Sequence, residues 1–149
     1  MPFFTLQIVP QGPLVLAFIG VSFARRDALV AGNQPVPPAV RINGLIDTGA
    51  SGTCVDPSVL QQLSVPPTGQ VMVDTASTGS QPHLTDQYDV SILIPGDIPT
   101  APPFIEQNVP VIASELLQRQ GIHALIGRDI LSKCLFAYNG KSRTFSLAY

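Results

Sequence analysis

Apolar residues fall in short runs along this chain, each broken by proline, glycine or a polar cluster, a pattern of many short strands rather than long helices. Residues 3–9 predict a first strand, stopped by Pro10 and Gly12, and residues 14–23 a second, longer one. The stretch 25–38, rich in glycine, asparagine and proline, predicts a loop, and 39–46 a third strand. Asp56-Pro57 then opens a helix, because an aspartate side chain caps the free N–H groups of a first turn and proline suits the first helical position. Val59, Leu60 and Leu63 would face the core, and Pro66-Pro67 would end that helix. Residues 70–75 and 87–94 predict two strands; Val90, Ile92 and Ile94 alternate with Ser91 and Leu93 at period two. The polar segment 76–86 between them predicts the tip of a long hairpin. Beyond a loop at 95–103, residues 114–120 predict a short helix ended by Gly121, 124–126 a short strand and 127–131 a helical turn. Asn139-Gly140 predicts a closing hairpin.

A chain of 149 residues can bury a core without disulfides or metal and fits one domain. Charged residues are 12 % of it, about half the usual ~25 %, and fifteen prolines are about twice the usual ~5 % share, which favours a mostly β fold with punctuated loops. The net charge is −2 and the basic residues are scattered, Arg25 and Arg26 being the only adjacent pair, so no nucleic-acid footprint is present. The apolar run 13–21 is about half the ~20 residues of a membrane span. No basic residue precedes it, so it lacks the charged start of a signal peptide. It reads as a buried strand, with no membrane partner and the cytoplasm as the expected compartment. Cys54 and Cys134 have no metal-type spacing and are expected to be buried free thiols; neither a metal nor a cofactor is called for.

The chemistry concentrates at Leu45-Ile46-Asp47-Thr48-Gly49-Ala50-Ser51. An apolar strand delivers a carboxylate into a tight turn in which glycine permits conformations closed to other residues. Such a turn can hold the carboxylate beside small groups and backbone N–H donors, an arrangement suited to a general base acting on water.

Asp47-Thr48-Gly49-Ala50, led by Leu45-Ile46, resembles the active-site loop of the retropepsin-like (retroviral-type) aspartic proteases. Ala124-Leu125-Ile126-Gly127-Arg128-Asp129-Ile130-Leu131 resembles the second motif of that family, about 80 residues further on, with a polar-tipped hairpin between the two. The resemblance covers 39–149, and the first 35 or so residues match only loosely. It implies a closed β-barrel with short helices, one lobe per chain, and an aspartic endopeptidase that works as a homodimer on a peptide or protein substrate. Asp47 would be the catalytic carboxylate, and Thr48 would donate its hydroxyl across the dimer axis. Gly49 would hydrogen-bond substrate through its backbone, and Ala50 would be the small residue beside the paired carboxylates. Ala76, Ser77, Thr78, Gly79 and Ser80 would form the flap that closes over substrate. Gly127, Arg128 and Asp129 would start a helix beneath the active-site loop. The terminal hairpin looks more like that of the ubiquitin-shuttle and bacterial members than the short viral terminus.

The chain departs from the viral pattern in two places. Ser51 stands where an acidic residue usually pairs with the arginine of the second motif, which leaves Arg128 to Asp129, Asp56 or a carbonyl. The hairpin tip has only Gly79 where the viral flap is glycine-rich. Outside the resemblance, Arg128 and Asp129 read more readily as a structural ion pair than as substrate contacts. Asp74-Thr75-Ala76-Ser77 lies too close after Asp47 to be a second lobe and reads as a flap strand. His83 and His123 are isolated, which favours surface or packing roles, and Tyr88 reads as strand packing. Residues 1–38 belong to the same domain or, alternatively, form a pro-segment. The rival function is a catalytically silent dimerisation or peptide-binding module built on the same groove.

Overall fold

The computed structural model describes residues 1–75 and 79–149. Its strands are β1 (Phe3–Gln7), β2 (Leu14–Val21), β3 (Val40–Ile46), β4 (Cys54–Val55), β5 (Gly69–Val73), β6 (His83–Ile94), β7 (Phe104–Ala113), β8 (Ala124–Ile126), β9 (Leu135–Asn139) and β10 (Thr144–Ala148). Among the described residues three short helices, α1 (Phe23–Ala31), α2 (Pro57–Gln62) and α3 (Arg128–Leu131), complete it, with a 3₁₀ turn at Gln118–Gln120.

Six of the strands close on themselves in the order β2-β3-β8-β4-β7-β6, and the ring is sealed by β6 pairing back to β2 from Phe18↔Leu93 to Val21↔Val90. Closure removes the free edges that an open sheet would expose. The alternation seen in the sequence supplies the interior: Val15, Ala17, Ile19, Ile42, Ile46, Val90, Ile92, Ile94 and Ile126 are all buried. The pairing of β6 with β7 slips between Val90 and Ile92, a bulge at the point where β6 joins the ring. Beyond the ring, β5 hydrogen-bonds only to β6, from Gly69↔Gln87 to Val73↔His83, so the two project as a hairpin. A separate three-stranded sheet, β1-β10-β9, packs Phe4, Phe145 and Leu147 inward. Tyr149 ties this sheet to the barrel, edge-on to Phe104 at 5.5 Å with its hydroxyl donating to the Pro102 carbonyl. The mostly β architecture with a closed barrel and short helices is the one the sequence predicts.

Several elements differ from the sequence expectation. Part of the expected loop 25–38 is helical: Ser22 leaves β2 and accepts a hydrogen bond from Arg25 N, capping α1. No residue of α1 is buried, so the helix carries no apolar stripe to reveal it. The Phe104–Ala113 strand was not anticipated, because Pro110 and the polar Glu106, Gln107 and Asn108 break its alternation. The hairpin strand β6 begins at His83, inside the segment expected to be its tip, whereas β5 ends at Val73, before Asp74 and Thr75. The helix α2 stops ahead of Pro66-Pro67, at Leu63, since Ser64 takes a left-handed conformation (φ +51°). The helix expected over 114–120 shrinks to a single 3₁₀ turn, though Gly121 is left-handed (φ +75°) as its ending role requires. The last hairpin turns through four residues, with Asn139↔Thr144 the closing pair and the Asn139 side chain accepting from Ser142 N.

Candidate functional site

Leu45 and Ile46 pair with Leu125 and Ile126, so β3 and β8 run side by side and deliver the two sequence motifs to one place. Asp47 N donates to the Ile126 carbonyl, fixing the start of the loop. The chain then folds over itself: Gly49 N donates to Asp47 Oδ1 at 2.9 Å, and Ala50 N to the Asp47 carbonyl. The Asp47 carboxylate is left half-buried, while Thr48 and Gly49 are exposed.

The second motif grips this loop from below. Gly127 N donates to the Thr53 hydroxyl, and Arg128 N to the Ala50 carbonyl. The Arg128 guanidinium donates to the carbonyls of Thr48 and Gly49. A Cβ on Gly127 would stand 2.5 Å from the Gly52 carbonyl oxygen, so only glycine permits this approach. The Asp129 carboxylate accepts from Thr53 twice, from its N–H at 3.1 Å and its hydroxyl at 2.8 Å, and also caps Ile130 N. Arg128 and Asp129 therefore do not form the ion pair expected of them. The arginine reaches carbonyls and the aspartate reaches Thr53, because the two side chains leave a four-residue helix in different directions. Among the described residues the one ion pair is Lys133 with Glu106.

A cavity of about 1260 Å³ opens above the loop. Asp47, Ala50 and Leu125 lie on one side, the β5–β6 hairpin on another, with Pro110 and Ile112 of β7 beside them. Of the hairpin residues singled out by sequence, Gly79 (φ +62°) and Ser80 are exposed in a turn; Ala76, Ser77 and Thr78 lie outside the described residues. His83 is exposed on the cavity wall, whereas His123 accepts from Asn43 N through Nδ1 and Tyr88 packs against the core. Both cysteines are free and half-buried. Cys54 lines the cavity; burial, with the carboxylates of Asp129 and Asp47 near it, pushes its thiol above the usual range.

Two contributors take roles that the sequence reading did not assign. Thr53, buried at the hub between the loop and the second motif, precedes a strand of only two residues, too short for a period to register. Ile112 belongs to the unanticipated β7. Among the described residues no group of three or more His, Cys, Asp and Glu side chains could hold a metal ion, and no helix is long and apolar enough to cross a membrane.

Comparison with known proteins bears on this arrangement. The model of a family described as aspartyl protease matches residues 30–130, which takes in the Asp47 loop and the Gly127-Arg128-Asp129 segment. No curated protein sequence matches. Among solved structures, a retropepsin-like aspartic protease from Rickettsia conorii is similar over 99 % of this chain and 90 % of its own, with a TM-score of 0.60 at 16 % identity. That likeness concerns the fold.

Proposed function

This chain belongs to the aspartyl protease family and has a retropepsin-like fold, and on that premise we propose that it is an aspartic endopeptidase active as a homodimer, with Asp47 of each subunit forming the catalytic pair. The observation that carries this reading is the Asp47 loop itself: one carboxylate per chain, on a turn clamped by the second motif, open to the cavity.

The chemistry needs two carboxylates about 3 Å apart sharing one proton, since like charges that close cannot both ionise. The ionised member takes a proton from the attacking water, and the protonated member donates to the peptide carbonyl oxygen as the tetrahedral intermediate forms. With one suitable aspartate in each chain, a twofold axis beside Asp47 supplies the second from an identical subunit. The exposed Thr48 lies next along the chain and would donate across that axis. A peptide would bind extended in the cavity, pairing its backbone with the β5–β6 hairpin as an added strand. The hairpin turn that includes Gly79 and Ser80 would close over it.

The test is a cleavage profile on a mixed peptide library with the wild type and Asp47→Asn side by side, repeated on dilution. Half a site cannot catalyse, so specific activity should fall as the dimer dissociates. A silent peptide-binding module would bind peptides equally with either residue and cut none. Full activity per chain from a protein that sediments as a monomer would remove the homodimer from the proposal.

A further inference from the structure

The cavity has a one-sided charge. Among the described residues Asp47, Asp74 and Asp129 line it, and no lysine or arginine does; His83 is the only described lining side chain able to carry a positive charge. Two of the three carboxylates are already engaged. Asp129 accepts from Thr53 and Ile130, and Asp47 accepts from Gly49 and is the proposed reacting group. Asp74 is different. It follows directly on β5, next to the Val73↔His83 pair that closes the described part of the hairpin, and it is exposed. Among the described residues no hydrogen bond or ion pair engages its carboxylate. Beside it on the cavity lining stand Met72 and Leu84, a cross-strand pair of the same hairpin; strand alternation puts Met72, two residues before Asp74, on the face of Asp74, and Val71 and Val73 on the other.

We infer that Asp74 is a specificity-determining residue that selects substrates carrying a lysine or arginine side chain near the scissile bond and disfavours acidic ones. The inference rests on the endopeptidase reading above and adds a substrate class to it. An extended peptide places successive side chains on opposite faces, so an apolar wall ending in one unengaged carboxylate suits a long basic residue. Its aliphatic stem would lie along Met72 and Leu84 and its cation would meet Asp74. In a twofold dimer the carboxylate occurs once on each side of the cut, so a basic residue should be favoured at one position on either side.

The test uses the full chain and a neutral reference peptide in which single Lys or Glu substitutions are scanned through the residues flanking the cut. With the wild type at low salt, kcat/KM should favour Lys over Glu by about tenfold at one position on each side, an exposed attraction set against an exposed repulsion. That ratio should shrink at high salt, where a contact of this kind is screened. Asp74→Asn should bring it close to one, while Asp27→Asn, a carboxylate of α1 outside the cavity, should keep it. Cleavage of the neutral peptide with Lys and Glu treated alike at every position, or an undiminished ratio in Asp74→Asn, overturns this inference and leaves the peptidase reading standing. A chain that cuts no peptide, the neutral one included, overturns both.

Discussion

The Arg128 guanidinium donates to the carbonyl oxygen of Thr48 at 2.8 Å, and the same nitrogen reaches Gly49 O at 3.3 Å. A fixed cation thereby holds the two residues that follow Asp47, in place of the side-chain carboxylate that Ser51 cannot offer. Charged donors make the stronger hydrogen bonds, and a loop misplaced by a fraction of an ångström loses rate rather than binding. We expect Arg128→Met to lower kcat at least tenfold with KM little changed and to destabilise the fold by about 1–2 kcal/mol. Arg128→Lys, which keeps the charge without the fork, should recover part of both. Steady-state kinetics and thermal unfolding on the three proteins check this.

Thr48 is exposed in the single chain, directly after Asp47. If its hydroxyl bridges the two loops of a dimer, Thr48→Ser should dimerise like the wild type. Thr48→Ala should weaken the dimer by about 1–3 kcal/mol for each partner left unsatisfied. Sedimentation over a dilution series measures this, and equal dissociation constants for all three would rule the bridge out.

A shared-proton pair of aspartates titrates as one unit with two macroscopic steps, and only the singly protonated form works. The pH profile of kcat/KM should therefore be bell-shaped, with an optimum between about pH 4 and 6 by analogy with known pairs. At high pH both carboxylates ionise and repel across the axis, so dissociation should rise in parallel. A flat profile from about pH 4 to 9 would contradict the pair.

Acid should also act on the fold, through Asp56. Burial pushes its carboxyl up, but this is outweighed by the N–H groups of Ser58 and Leu116 and the Gln118 amide, which donate to the ionised form, and its titration is lowered overall. A carboxyl lowered in the folded state contributes stability that is present above its unfolded value, about 3.9, and lost as pH falls through its folded value. The difference in unfolding free energy between wild type and Asp56→Asn should be about 1–3 kcal/mol near neutrality and should shrink below about pH 4. Unfolding followed at several pH values tests it.

Removal of residues 1–38 would delete β1 and β2, and β2 is the strand that joins β3 to β6 in the ring. We expect a chain starting at residue 39 to aggregate or remain unfolded. If mass spectrometry of protein held at acid pH instead found a stable, active product starting there, the first 38 residues would be a pro-segment.

The parts of this molecule that could be read from the sequence are those where local chemistry and global need agree. Asp56 and Pro57 set the start of α2, the alternation through Ile92 and Ile94 placed β6, and the apolar Ala124–Ile126 placed β8. The pairing of Asp47 with the Gly127-Arg128-Asp129 segment was visible because two short motifs in a fixed order are specific. What stayed hidden depends on tertiary contact. Nothing in Thr53 marks it as the hub for Asp129 and Gly127, and the partners of Arg128 are backbone atoms, which carry no sequence signal. The strand β7 carries Pro110 and the polar run Glu106, Gln107 and Asn108, which breaks the alternation on which a reading based on burial depends.

The β6 strand behaves mechanically as a beam clamped at one end. Val90–Leu93 is gripped by β2 on one side and β7 on the other, whereas His83–Asp86 is held by β5 alone. The bulge between Val90 and Ile92 sits at the clamp, and a bulge bends and twists its strand. A small change of angle there is multiplied along the free length. The aim of the hairpin over Asp47 is thus set from inside the barrel, by core side chains such as Val90 and Ile92 that touch no part of the cavity.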